Sequence, residues 1–94
     1  MHARVVRFTG VDEATIDRVK ARIQEEEGPP PGVRATSMKM MFDADQGTAV
    51  FVAFFENEND LRDADAVLGQ MDVGDTPGTR ASVDRGEVVI EREA

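Results

Sequence analysis

Few of the 94 residues carry side chains suited to covalent or acid–base chemistry. His2 is the only histidine, and its place at the start of the chain argues against a haem- or metal-ligating role, since termini are poorly ordered unless tied down. With no cysteine, thiolate catalysis, disulfides and cysteine-held metal sites are excluded. Ser37 and Ser82 stand in no nucleophile motif. We therefore assign no catalytic residue, no metal ligand and no cofactor from the sequence.

Asp43-Ala44-Asp45-Gln46-Gly47 opens like a calcium loop, with alternate carboxylates. A glycine then occupies the third ligand position and no glutamate closes the loop, so a hairpin turn is the simpler reading. Glu25-Glu26-Glu27 closes a helical segment, where the macrodipole disfavours negative charge, and reads as a solvated cluster. Met38, Met40, Met41 and Met71 are unbranched and adaptable, suited to core filling or to the walls of a small apolar pocket. Lys39 and Arg7 interrupt apolar strands and, if covered, need acidic partners such as Asp84 or Glu87.

Six elements must position these residues. Ala3 to Thr9 is a strand ended by Gly10. Ile16, Val19 and Ile23 recur at helical spacing within Glu13 to Glu27, after a cap at Asp12 and a staple residue at Val11. Gly28 and Pro29-Pro30-Pro31 stop that helix. Val33 to Phe42 and Thr48 to Glu56 form a hairpin around the Asp43–Gly47 turn. Asn57 caps a second helix with the stripe Leu61, Ala64, Leu68 and Met71. After a loop from Gly74 to Gly78, Thr79 to Glu91 is the last strand, with a bend or bulge expected at Arg85-Gly86.

Composition bounds the partners. At this length residues 1–94 make a single domain with a modest core. Net charge is −8, and the eleven Lys and Arg are scattered along the chain, which argues against a nucleic-acid partner. No run is long and apolar enough to span a membrane, no secretory signal opens the chain, and a cytoplasmic location is expected.

The order βαββαβ, with right-handed crossovers, predicts an α+β ferredoxin-like plait: a four-stranded antiparallel sheet with two helices on one face. In TAVFVAFF (Thr48–Phe55) both alternating sets of side chains are apolar, so both faces of that strand need cover. A turn from Asp43 to Gly47 places Phe42 opposite Thr48, Met40 opposite Val50, Met38 opposite Val52 and Thr36 opposite Phe54. That set is expected beneath the helices. The opposite set, Lys39, Phe51, Ala53 and Phe55, is expected at an interface between two copies.

The element order, Pro31-Gly32-Val33 before the second strand, the D-x-D-x-G turn and the junction FFENENDLRDADAVL together resemble the dimeric α/β-barrel proteins related to antibiotic-biosynthesis monooxygenases. The resemblance implies a homodimer formed by packing two sheets together, with no single chemistry attached to the fold. The expected function is that of a homodimeric protein without assigned activity, binding a small apolar ligand between helices and sheet. Met38, Met40, Val52, Phe54, Leu68 and Met71 are the candidate lining residues. The alternative is a cofactor-independent monooxygenase acting on a small aromatic substrate, which would need a base or oxyanion donors that a chain without Tyr, Trp or an interior His supplies poorly.

Overall fold

The computed structural model of the chain describes residues 1–26, 28, 30–70 and 78–93. The element order is β1 (His2–Thr9), α1 (Glu13–Glu25), β2 (Ser37–Asp43), β3 (Thr48–Phe55), α2 (Glu58–Gly69) and β4 (Thr79–Glu87). The strands form one sheet in the order β2-β3-β1-β4, every neighbouring pair antiparallel. This is the ferredoxin-like α+β plait. Among the described residues no helix is long and apolar enough to cross a membrane.

Local chemistry explains the element boundaries. Asp12 caps α1, its Oδ1 accepting from the Thr15 amide at 2.7 Å. Hydrogen bonding to Thr15 holds the Asp12 carboxyl below its ordinary pKa. Val11 and Ile16 are buried in one cluster, as a staple requires. α1 ends earlier than expected, at Glu25, with Glu26 already extended. Asn57 caps α2, with Oδ1 accepting from the Asp60 amide at 2.8 Å. The second strand begins at Ser37 rather than Val33. Val33 instead donates its amide to the Pro30 carbonyl and is buried with Phe55, Leu61 and Ala64. The last strand ends at Glu87, leaving Val89 and Ile90 almost fully exposed.

The hairpin overturns one expectation with wide consequences. Asp43 belongs to β2 and pairs with Thr48, while its side chain accepts from the Asp45 and Gln46 amides and closes the turn. Gly47, with φ +64°, adopts the left-handed conformation the turn needs. The loop is therefore one residue shorter than expected, and Phe42 faces Ala49, Met40 faces Phe51 and Met38 faces Ala53. A slip of one residue exchanges the faces of a strand. Ala49, Phe51, Ala53 and Phe55 accordingly share the helix-covered face with Val6 and Phe8 of β1, whereas Val50, Val52 and Phe54 lie on the open face.

The core has two parts on that covered face. Val6, Phe8, Val11, Ile16 and Ala49 form one cluster, and Val33, Ala53, Phe55, Leu61 and Ala64 the other, with half-buried Phe51 touching both. Ala53 and Ala64 lack bulk beyond Cβ, and α2 packs directly on β1 and β3.

Candidate functional site

The helix-covered side of the sheet is not filled uniformly. Leu61 and Ala64 of α2 are buried, but α1 buries only Ile16; Val19 is half-buried and Ile23 is 45% exposed. Of its three β-branched apolar residues only Ile16 is buried, which anchors α1 at its N-terminal end without drawing its C-terminal half onto the sheet. A cleft of about 710 Å³ remains there. Its floor is Val6, Phe8, Met38, Met40 and Phe51, its roof carries Val19 and Ile23, and Leu68 comes from α2.

Three of the expected lining residues, Met38, Met40 and Leu68, meet in this cleft. Val52 and Phe54 do not: the hairpin register turns them to the open face. Met71 lies outside the described residues. The expected interface residues are redistributed for the same reason. Phe51 becomes cleft floor, and Ala53 and Phe55, at 1% and 0% exposure, are already buried beneath α2. They have no surface left to give to another chain. Lys39, on the edge strand β2, pairs with Val52 and is exposed beside the cleft.

Sequence reasoning missed the charges. The basic residues, scattered along the chain, are gathered in space: Arg4, Arg18, Lys20, Arg22, Lys39 and Arg80 all line the cleft, against Glu26 as the one described acidic residue of the lining. On α1 the signal was present, because Thr15, Arg18 and Arg22 follow the i, i+3, i+7 spacing that places them on one side of a helix. For Arg80 no such signal exists. Arg7 pairs with Ser82 but Phe8 pairs with Arg80, so Ala81 is an extra residue in β4. The irregularity expected at Arg85-Gly86 is absent there, where Arg4 pairs with Arg85 and Ala3 with Gly86 in regular register. Such bulges re-aim side chains. This one moves Arg80 onto the face of Phe8.

Arg4 is 4% exposed and is held by an ion pair, its Nε donating to Asp65 Oδ1 at 2.9 Å. Arg85, its cross-strand neighbour, donates to Asp65 Oδ2 at 2.7 Å. Asp65 thus offsets two cations that would otherwise repel across β1 and β4. The Arg4 guanidinium, seconded by Arg85, holds the Asp65 carboxyl below its ordinary pKa against the opposing effect of burial.

His2 is not frayed. It pairs with Phe55 and Glu87 in the sheet, and its Nδ1 is buried without a hydrogen-bond partner among the described residues. Among the described residues no group of three or more His, Cys, Asp or Glu gathers in a metal-binding arrangement. Asp43, the first carboxylate of the segment read as a hairpin turn, is engaged with the turn's own amides. No protein-family model, curated protein or solved structure matches the chain.

Proposed function

We propose that this protein is a ligand-binding homodimer of the dimeric α/β-barrel kind, taking a small apolar molecule into the cleft between α1 and the sheet. The observation that carries the reading is a cleft that the described residues leave unfilled, with an apolar floor and a roof helix whose Ile23 remains half in solvent. Its volume falls within the range of small-molecule sites. The oxygenase alternative is less well supported, because the described lining, though it offers cations and the neutral Thr15 and Gln24 as donors, holds one carboxylate as a candidate base, and that residue, Glu26, lies 3.9 Å from Arg22.

A neutral apolar dye, N-phenyl-1-naphthylamine, is expected to bind saturably with enhanced fluorescence. Met40→Trp should fill the cleft and remove that binding at a stability cost of roughly 1 to 3 kcal/mol. Ile23→Trp should do the same from an already exposed position. Absence of saturable enhancement in the wild type, or its persistence in both variants, would overturn the reading.

The second copy is argued from the open face. Val5, Val50, Val52 and Phe54 form an apolar patch there, half-buried in the single chain, and Met41 is 64% exposed. Lys39, Val52, Val5 and Asp84 occupy one row across the sheet, with Lys39 on one edge strand and Asp84 on the other. A two-fold axis parallel to the strands would bring Lys39 over the partner's Asp84 and bury the apolar patch on itself. Light scattering coupled to gel filtration should give the mass of two chains for the wild type at micromolar concentration and of one chain for Val52→Glu, which sets a carboxylate between the sheets. A wild-type mass of one chain would sink the dimer.

A further inference from the structure

We propose that the ligand of this cleft is an amphipathic acid, a small molecule with an alkyl or aryl body and one carboxylate, and that Arg80 holds the carboxylate. The inference rests on the reading of the cleft as a ligand site and adds the ligand's charge. In a chain of net charge −8, six of the eleven basic residues line this one cleft, with a single described acid among them. Part of that charge is already met within the protein: Arg4 by Asp65 and Arg22 by Glu26. Arg18, which donates only to the neutral Thr15 Oγ1 at 3.3 Å, and Lys20, Lys39 and Arg80 make no ion pair among the described residues.

Arg80 differs from Arg18 and the two lysines. It is half-buried rather than exposed, and it stands in register with Phe8 of the apolar floor. It is there because of the bulge. In a regular register without the bulge, Phe8 would pair with Ala81 and Thr9 with Arg80, leaving Arg80 on the open face. A partly desolvated guanidinium beside apolar side chains is unfavourable unless an anion meets it. Its planar fork matches a carboxylate in two parallel hydrogen bonds. The apolar body would then lie over Phe51 and Met40, and Arg18 and Lys20 on the α1 rim would raise the local concentration of the acid.

Displacement of N-phenyl-1-naphthylamine by octanoate and by 1-octanol, ligands of one chain length that differ in charge at neutral pH, tests this directly. Octanoate should bind about tenfold more tightly than 1-octanol. Arg80→Gln should reduce the preference to about threefold or less while leaving 1-octanol unchanged, and Arg80→Lys should restore part of it. Added salt should weaken octanoate alone. Equal displacement by acid and alcohol, or an undiminished preference in Arg80→Gln, would overturn the proposal while the dye still reports an apolar cleft. Failure of the dye itself to bind would instead overturn the ligand-site reading, and this inference with it.

Discussion

Asp65→Ala is expected to destabilise the fold by roughly 3 kcal/mol, because it strands the charge of Arg4 beneath α2. For a domain of this size that corresponds to a fall in Tm of roughly 12 to 24 °C. Arg4 is 4% exposed and its Nε has Asp65 Oδ1 as its partner at 2.9 Å, so water cannot freely take over the role. Arg85 loses the same partner but is exposed, and its loss should matter little. The double variant Arg4→Met with Asp65→Ala should recover most of the stability, since it leaves no buried charge without a partner. Urea unfolding followed by circular dichroism checks both. A cost below about 1 kcal/mol for Asp65→Ala would show that the pair does not hold α2 to the sheet.

The same pair sets an acid limb of stability. Arg4 depresses the folded-state pKa of Asp65 below its ordinary value of 3.8, which the unfolded chain retains. The associated stabilisation is fully present above that value and is lost as pH falls through the lower, folded pKa. Between those two values wild type should therefore lose stability on acidification, and the double variant should lose less.

Phe55→Ala is expected to cost roughly 3 to 5 kcal/mol, whereas Phe54→Ala should cost about 1 kcal/mol in dilute solution. The two rings are neighbours in sequence and opposite in environment. Phe55 is fully buried among Val33, Ala53, Leu61 and Ala64, while Phe54 lies half-exposed on the open face. Paired denaturation curves decide which face the helices cover. A larger loss for Phe54→Ala than for Phe55→Ala would reverse the register that places Phe51 in the cleft floor.

The dimer proposed through the open face and the cleft beneath α1 lie on opposite sides of one sheet. β3 separates them, contributing Phe51 to the cleft and Val50 and Val52 to the open face. This is the physical sense of a strand apolar on both sides: each face of TAVFVAFF has its own environment, the helix side within the chain and the open side in the proposed second copy.

What the sequence determined by itself is local. Caps at Asp12 and Asn57, a Gly at the hairpin turn, and apolar periodicity set the number, type and order of the elements, because each depends on residues within a few positions of one another. From that order the antiparallel plait follows by topology. Which apolar set of β3 faces the helices was decided by one residue of loop length, and both sets are apolar, so composition could not discriminate. The cleft, likewise, exists because α1 packs less closely than α2, a balance of long-range contacts that hydrophobic spacing alone does not express. The gathering of six basic residues around it joins positions from 4 to 80, and the placing of Arg80 depends on a bulge against β1. Tertiary structure alone decided these, since charge segregation in space and strand register are properties of pairs of segments rather than of any one of them.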